Sequence, residues 1–258
     1  MKSRTEEAEG PVDWRTQLVR GGYVVLPNII SSALVSAAHT AITRDLAQGL
    51  DPARQLEYEH QSYCPDLRAG PEIMNLLLGS SVPELLDAVI GFDSLVYSTG
   101  QIAIRRARNA NLPRPPDAHI DGIATPHNGL HTPELSTFTL LVGVFLTDIP
   151  VEYAGNFTVW PCSHHTIENY FRERGPAALM EGMPSVKLGT PVQLTCTAGD
   201  VVLCHYQLAH GVAVNLAAVD RVAVYFRLWL ADIDSRRWRL LTHIWDGWKI
   251  GPHLFEAG

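Results

Sequence analysis

The chain has few cysteines and few positive charges, and each shortage excludes a class of protein. Its four cysteines show no C-x-x-C spacing, which argues against a disulfide framework and favours a reduced, cytoplasmic setting. They are Cys64, Cys162, Cys196 and Cys204. The formal net charge is −7, which argues against nucleic acids and anionic membranes as partners because both select basic surfaces. A small anionic ligand remains compatible with this charge, since it needs only one or two local cations.

Long apolar runs are also missing. A membrane-spanning helix needs about 20 apolar residues, whereas the longest candidate here, from Phe138 to Leu146, has the length of a strand. The first ten residues, MKSRTEEAEG, are charged and lack the apolar core of a signal peptide. We therefore expect a cytoplasmic protein without a membrane partner.

The composition suits one folded unit. Hydrophobic residues make up 46% of the 258 positions, which is enough to bury a substantial core. No low-complexity linker divides the chain, and all-β barrels of this length commonly form one domain. We predict a single domain over residues 1–258.

Helical signals lie mainly towards the N terminus. The segment GYVVLP at 22–27 predicts a short strand, and Ser31 or Ser32 can cap the helix that follows, with Gly49 suited to its end. The apolar stripe of that helix is Leu34, Ala38, Ile42 and Leu46. A second helix is predicted from about Val82 to Ile90. The stretch around residues 58–64 has no clean period, so it is either a lid or a packed loop.

Strand patterns dominate the middle of the chain. Alternating or β-branched segments separated by turn residues predict strands at 96–105, 137–147, 157–160, 192–196, 201–205 and 222–230. Near the C terminus, Trp238, Leu241, Trp245 and Trp248 recur at spacings of three and four, which predicts one packed helix face. Short strands between terminal helices predict a mainly β fold with flanking α-helices, as a sandwich or barrel. We expect N-terminal helical support at about 20–92, a barrel core at about 94–232 and a C-terminal helical segment at about 234–250.

The candidate metal ligands are His119 and Asp121, read together with His210. Residues i and i+2 of a strand project from the same face, so His119 and Asp121 can offer one imidazole and one carboxylate to a single ion. Two histidines and one carboxylate are the ligand set of non-haem Fe(II) oxygenases. Among 11 histidines an isolated H-x-D triplet is weak evidence. Arg221, 11 residues after His210, adds a cation that points to an anionic co-substrate.

Four motifs in order resemble the phytanoyl-CoA hydroxylase family of Fe(II)- and 2-oxoglutarate-dependent dioxygenases, over roughly residues 20–230. The first two are the segment GYVVL at 22–26 with its following helix and the HID triplet at 119–121. The third is GNFTVWPCSH at 155–164, similar to the family's G-x-L-x-x-x-P-G-S-H turn. The fourth is GDVVL at 199–203, followed by His210-Gly, Asn215 and Arg221.

The resemblance implies a double-stranded β-helix (a jelly-roll, cupin-like core) and a set of residue roles. By position, His119, Asp121 and His210 would bind iron and carry catalysis, and Arg221 would pair with the distal carboxylate of 2-oxoglutarate. A guanidinium suits that task because it presents a planar, bidentate fork to a carboxylate. The implied reaction is hydroxylation or desaturation of a small organic molecule with O2, releasing succinate and CO2.

Three positions qualify the resemblance. Related halogenases have a small residue where Asp121 stands, so a carboxylate here favours hydroxylation or another oxidation over halogenation. Cys162 replaces the usual glycine of the P-G-S-H turn, which a turn can tolerate. Val212 occupies a position where a small polar residue often helps to hold the co-substrate.

Gln101 and Arg105 lie on the strand that enters the H-x-D turn, and they share one face of it. If that face is interior, Arg105 needs an anionic partner, because an unpaired buried charge is very costly. We hypothesise that Gln101 or Arg105 helps to bind 2-oxoglutarate or an acidic substrate. An outward-facing pair is the alternative.

The other histidines have less specific interpretations. His205 is either a packed strand residue or a partner that orients a metal ligand, and His164 and His165 suit structural hydrogen bonds. His127, Asn128 and His131 belong to a polar loop that either lines the substrate entrance or is solvated. Substrate choice is expected to depend on residues 51–75, 122–135 and 166–190.

Two other functions are compatible with the pattern. One is a metal-dependent enzyme on a similar barrel that does not use 2-oxoglutarate, which Arg221 argues against. The other is a catalytically silent barrel that binds a ligand or partner, which the histidine and carboxylate set argues against. The oligomeric state and the substrate are left open by the sequence.

Overall fold

The computed structural model describes residues 13–108, 110–122 and 137–255. Most helices precede or follow the strand-rich part of the chain. The α-helices are α1 Trp14–Gly21, α2 Ser32–Leu46, α3 Gln55–His60, α4 Pro71–Leu78, α5 Val82–Val89, α6 Ser163–Arg174 and α7 Ile233–Leu240. Among the described residues, no helix has both the length and the apolar character that crossing a membrane requires.

In the described part of the chain, nine strands form two antiparallel sheets. The strands are β1 Tyr23–Leu26, β2 Leu95–Tyr97, β3 Gln101–Arg105, β4 Leu140–Phe145, β5 Phe157–Val159, β6 Val192–Gln193, β7 Val201–His205, β8 His210–Val212 and β9 Arg221–Leu230. The larger sheet has the order β1-β7-β4-β9-β2, with β3 also paired to β9, and the smaller sheet has the order β6-β5-β8. The fold is mainly β with flanking helices around a double-stranded β-helix core, as the sequence predicts.

The larger sheet is covered on both faces. Its outer face packs on the N-terminal helices in one apolar cluster, to which β9 contributes Val222, Val224 and Phe226. Its inner face meets the smaller sheet in a second cluster that joins Tyr225 of β9 to Phe157 of β5. Side chains alternate along a strand. The polar residues of β9, which are Arg221, Tyr225 and Arg227, therefore face the space between the sheets.

The predicted strand 96–105 is wrong in one respect, because the structure divides it into β2 and β3. Both strands pair with β9, β2 with its end and β3 with its beginning, so they lie one after the other along the same edge. Gly100 lies at the break, where an added Cβ would be 2.4 Å from Ile73 and 2.8 Å from Val224. The strand is interrupted at Gly100 because the backbone there packs so closely against α4 and β9 that only glycine fits.

The two N-terminal helix predictions are confirmed, and the C-terminal one is wrong. Ser31 caps α2 through a bond from the Leu34 amide to its hydroxyl, and α5 covers the second predicted helix. The helix α7 ends at Leu240, so the tryptophans do not share one helix face. Trp238 is 44% exposed, whereas Trp245 lies in a turn after the helix and Trp248 in the irregular segment that follows.

His205 is buried against Trp245 and Trp248, and this environment makes folding sensitive to acid. Its Nε2 lies 3.0 Å from the carbonyl of Ile244, and its Nδ1 accepts the Gln207 amide at 3.0 Å, which defines a neutral ring protonated at Nε2. Burial lowers the pKa of His205 to about 4 from 6.5. Between pH 6.5 and pH 4 the imidazole of His205 is protonated in the unfolded protein but neutral in the folded protein. The free energy of unfolding therefore decreases as the pH falls through this range.

We expect this histidine to contribute a loss of about 3 kcal/mol in the free energy of unfolding between pH 6.5 and 4. Urea unfolding of the wild type and of His205→Gln at several pH values measures the contribution. The variant should be less stable at pH 7 but should show a shallower pH dependence over this window. The pKa of His164 is lowered by burial and also by the nearby His205, so His205→Gln relieves part of that shift and makes the pH dependence of the variant shallower still. Equal slopes in the two proteins would contradict the prediction.

Candidate metal centre

Two histidines from distant parts of the chain are held side by side by backbone hydrogen bonds. The amide of His119 donates to the carbonyl of His210 and the amide of His210 donates to the carbonyl of His119, both at 2.9 Å. This antiparallel bridge brings the ring centroids to 4.5 Å. Asp121, two residues after His119, places Oδ1 3.7 Å from the Nε2 atom of each histidine. The structure therefore joins the three predicted ligands in one cluster, with their ligand atoms within 4.8 Å of one another.

The state of each side chain suits a bound cation. The Nδ1 atom of His210 lies 3.0 Å from the carbonyl of Leu208, so a proton there leaves the lone pair of Nε2 facing Asp121. Burial would raise the pKa of Asp121, but Arg227, His210 and His119 together hold it well below its usual 3.8, so it is a carboxylate at neutral pH. Half of the 3.7 Å separation is less than a metal–nitrogen bond of about 2.1 Å. One ion can therefore reach both imidazoles and the carboxylate.

Arg227 occupies the other oxygen of Asp121, a contact that the sequence reasoning missed. Its Nη2 and Nε donate to Oδ2 at 2.9 and 3.1 Å, and its Nη1 donates to Oε1 of Gln101 at 2.7 Å. The available signal was periodicity. In RVAVYFRLWL of β9 the polar positions are Arg221, Tyr225 and Arg227. They are four and two positions apart, which places them on one face of the strand.

A cavity of about 160 Å³ adjoins Asp121 and His210. Arg221 lines it and is only 2% exposed. Its Nε donates to the carbonyl of Gly155 at 2.8 Å and its Nη1 to the carbonyl of Ala103 at 3.0 Å. No carboxylate among the described residues pairs with it. Burial lowers the pKa of Arg221, and nearby Arg105 lowers it further, so the cavity holds a cation that an anionic ligand would stabilise.

Tyr225 adds a second donor to this cavity, also missed at the sequence level. Its hydroxyl is buried and has no hydrogen-bond partner among the described residues. Burial raises the pKa of Tyr225, so the phenol keeps its proton. It lies four residues after Arg221 on the same face of β9. An unpaired buried hydroxyl costs free energy, so this atom needs a ligand or a water molecule.

Gln101 and Arg105 both line the cavity, so they share its face of β3, with Arg105 at the solvent-exposed end of that strand. Arg105 is opposite Arg221 in the strand register, and Gly155 packs over both. A Cβ added at Gly155 would lie only 2.9 Å from the side chain of Arg105 and 3.1 Å from that of Arg221, so the position has no room for a side chain. The guanidinium of Arg105 has no ion-pair partner in the described part of the chain. Gln101 is already engaged at both ends, since its Nε2 donates to the carbonyl of Gln61 at 2.6 Å and its Oε1 accepts from Arg227.

Other predicted residues lie away from the ligand cluster. The Nε2 atoms of His164 and His165 lie 3.1 and 3.2 Å from the carbonyl of Val19, which confirms structural hydrogen bonds. His205 binds the backbone of the C-terminal segment, not a ligand, so the orienting alternative is wrong. His127, Asn128 and His131 lie outside the described residues.

The two departures from the family pattern have local explanations. Cys162 has a φ of +66°, the left-handed conformation that glycine adopts most easily, so the turn keeps its shape with a strained residue. Val212 lines the cavity without a polar group. The hydroxyl of Tyr225 supplies a donor to the same cavity.

Solved structures with this fold cover most of the chain. HygX from Streptomyces hygroscopicus, with nickel and 2-oxoglutarate bound, is 18% identical and has a TM-score of 0.55, covering 86% of this chain and 88% of its own. SnoK, a non-haem α-ketoglutarate-dependent carbocyclase from nogalamycin biosynthesis, is 20% identical with a TM-score of 0.55, covering 88% and 90%. The epimerase SnoN from the same biosynthesis is 18% identical with a TM-score of 0.55, covering 84% and 82%. At these identities the likeness establishes the fold.

No protein-family model and no curated protein matches the chain.

Proposed function

We propose that this protein is an Fe(II)- and 2-oxoglutarate-dependent oxygenase that hydroxylates or desaturates a small organic molecule within a single domain. One observation carries the proposal. Two imidazoles and a carboxylate converge on one point, and the cavity beside them contains a buried arginine without a carboxylate partner among the described residues. A metal-binding module would need the first feature but has no use for the second.

His119, Asp121 and His210 would hold the iron, since two imidazoles and one carboxylate are the donor set of such centres. When bound, Fe(II) with 2-oxoglutarate supplies the oxidising chemistry, in which O2 is consumed, the oxo acid becomes succinate and CO2, and the substrate is oxidised. The chain itself supplies position and exclusion of water. A proton on Nδ1 of His210, directed to the carbonyl of Leu208, leaves the Nε2 lone pair for the ion, and Asp121 stays charged because Arg227 faces it.

Arg221 would bind the distal carboxylate of 2-oxoglutarate, with the hydroxyl of Tyr225 as a second donor. Charge-assisted hydrogen bonds of this kind are the strongest available to a neutral-pH site. The cavity, at about 160 Å³, is smaller than the roughly 300–1,000 Å³ of pockets for drug-sized ligands, so it suits a small dicarboxylate. The substrate that is to be oxidised would then enter from outside this space. Tyr58 and Tyr63 stack there at 6.1 Å along the cavity wall.

Arg105 would assist at the same end, through 2-oxoglutarate or an acidic substrate. It lies opposite Arg221 and has no ion-pair partner in the described part of the chain. Gln101 was predicted for the same role, but its contacts to Gln61 and Arg227 point to a different one.

The structural relatives support a small-molecule substrate and an oxygenase of this general kind. HygX has been solved with hygromycin B as well as 2-oxoglutarate, and SnoK and SnoN are named for nogalamycin biosynthesis. SnoK is described as a carbocyclase and SnoN as an epimerase, so the same fold accommodates more than one reaction outcome. Asp121, as a third protein ligand, favours hydroxylation or desaturation over halogenation. The four motifs support membership of the phytanoyl-CoA hydroxylase family.

The test is an anaerobic titration followed by a turnover assay. Adding 2-oxoglutarate to the Fe(II)-loaded protein without O2 should produce a metal-to-ligand charge-transfer band in the visible absorption spectrum. Admitting O2 should then yield succinate in amounts that depend on both iron and 2-oxoglutarate. A protein that binds iron but shows neither the band nor succinate would contradict the proposal, and metal-dependent turnover without 2-oxoglutarate would favour a different enzyme on this barrel.

A further inference from the structure

The second oxygen of Asp121 is the end of a hydrogen-bonded chain that starts on the cavity wall. The carbonyl of Gln61 accepts from Gln101 at 2.6 Å, and Gln101 accepts from Arg227 at 2.7 Å. Arg227 then donates twice to Oδ2 of Asp121, at 2.9 and 3.1 Å. All three guanidinium nitrogens are therefore engaged, two of them by one carboxylate oxygen.

The backbone of Arg227 is also held in place. Its amide donates to the hydroxyl of Ser98 at 3.0 Å, and its carbonyl accepts the amide of Ser98 at 2.9 Å. Ser98 lies in the break between β2 and β3, so the break that the sequence did not predict provides this clamp. The guanidinium carbon also lies 5.7 Å from the ring centre of Phe138, within the range of a cation–π contact. The side chain that grips Asp121 is thus positioned from three directions.

Two hydrogen bonds to one oxygen restrict how Asp121 can bind a cation. Oδ2 faces Arg227, and Oδ1 faces the Nε2 atoms of both histidines. Rotating the carboxylate to present both oxygens to an ion would break the bidentate contact with Arg227. The carboxylate side chain is only 9% exposed, so water cannot readily replace the lost donors.

We propose that Arg227, held by Gln101, is a positioning residue for the metal centre. By occupying Oδ2 it leaves Oδ1 as the only oxygen for the ion, so Asp121 binds as a one-oxygen ligand and a coordination position stays available for other ligands. The inference rests on the proposed function in that the triad must bind a metal. Partners that orient a ligand in this way typically change metal affinity by about 10- to 100-fold when they are removed.

The test measures Co(II) binding, so it does not depend on turnover. Arg227→Gln removes the charge and the fork, and Arg227→Lys keeps the charge but not the fork. Calorimetric titration of the metal-free proteins with Co(II) gives affinity, and the visible absorption of the Co(II) forms reports coordination. We expect Arg227→Gln to weaken Co(II) binding about 10- to 100-fold and to change the spectrum. Arg227→Lys should have a smaller effect on affinity.

A matched control is available on α6. Arg172 binds Glu168 at 2.6 Å, and the side chain of Glu168 is also 9% exposed. Arg172→Gln thus removes an arginine from an equally buried carboxylate outside the ligand cluster. It should lower stability while leaving Co(II) affinity and spectrum at wild-type values, which separates positioning of the metal from a general loss of an ion pair.

Gln101→Leu provides an independent test should Arg227→Gln fail to fold. It removes the acceptor for Nη1 of Arg227 but leaves the charge, so Co(II) binding should weaken several-fold. The inference is overturned if the Arg227 variants keep both the Co(II) affinity and the Co(II) spectrum of the wild type. If Arg227→Gln does not fold, the same result in Gln101→Leu overturns it. In either case the proposed function stays intact. A wild-type protein that bound no Co(II) would overturn both.

Discussion

Replacing Asp121 with alanine is expected to weaken iron binding by more than about 100-fold and to abolish succinate formation that depends on 2-oxoglutarate. The reason is that Asp121 is the only anion within the cluster, with Oδ1 3.7 Å from both imidazoles. Loss of a direct ligand should exceed the 10- to 100-fold typical of residues that only orient one. Anaerobic metal titration and a succinate assay on the same preparation measure the two effects.

Glu168→Ala is the control for this variant. Glu168 is buried to a similar degree, 7% exposed against 6% for Asp121, and it also pairs with an arginine. Its loss should reduce stability but leave metal binding unchanged. If Asp121→Ala bound iron as tightly as the wild type, the triad would not be the metal site.

Replacing Arg221 with methionine is expected to raise the dissociation constant of 2-oxoglutarate by about 100-fold or more while leaving metal affinity unchanged. Truncating one partner of a buried, hydrogen-bonded charge pair costs about 2 to 5 kcal/mol. The stability of the ligand-free protein should change little, because the substitution removes a buried charge at the cost of two hydrogen bonds to the carbonyls of Gly155 and Ala103. Calorimetry with 2-oxoglutarate on the Co(II) form and thermal unfolding measure both quantities.

Two milder variants calibrate this result. Tyr225→Phe removes only a hydroxyl, so it should weaken 2-oxoglutarate binding by about 10-fold. Arg105→Ala should weaken the binding of 2-oxoglutarate or of an acidic substrate, and unchanged Michaelis constants for both would exclude a role for it. An Arg221→Met protein with wild-type affinity for 2-oxoglutarate would remove the main support for the proposed co-substrate.

The parts of the fold that sequence predicted well are those governed by local pattern. The strand β7 begins and ends where the alternation and the AGD turn at 198–200 place it, and α2 begins at its serine cap. The errors have nonlocal causes. The strand at 96–105 breaks because the chain passes under Ile73 and Val224 at Gly100, and the C-terminal helix ends before Trp245, which packs on His205. None of these neighbours is close in sequence.

The candidate site divides in the same way. The chemical type of each donor, and the shared face of His119 and Asp121, depend only on residue identity and on the two-residue repeat of a strand. The face of the sheet that Gln101 and Arg105 occupy was left as an even choice by the sequence, because alternation alone does not say which face meets the cavity. It became definite once β3 paired with β9.

By itself, the sequence determined the chemistry on offer: two histidines, one carboxylate and an arginine at a fixed distance along the chain. Only the tertiary structure decided that His210 meets His119 through a backbone bridge and that Arg227 binds the second oxygen of Asp121. It also decided that Tyr225, whose hydroxyl has no partner among the described residues, lines the same cavity as Arg221. The physical reason is that side-chain types and their alternation are local properties. Which strands pair, and hence which side chains share a cavity, depends on contacts between residues more than a hundred positions apart.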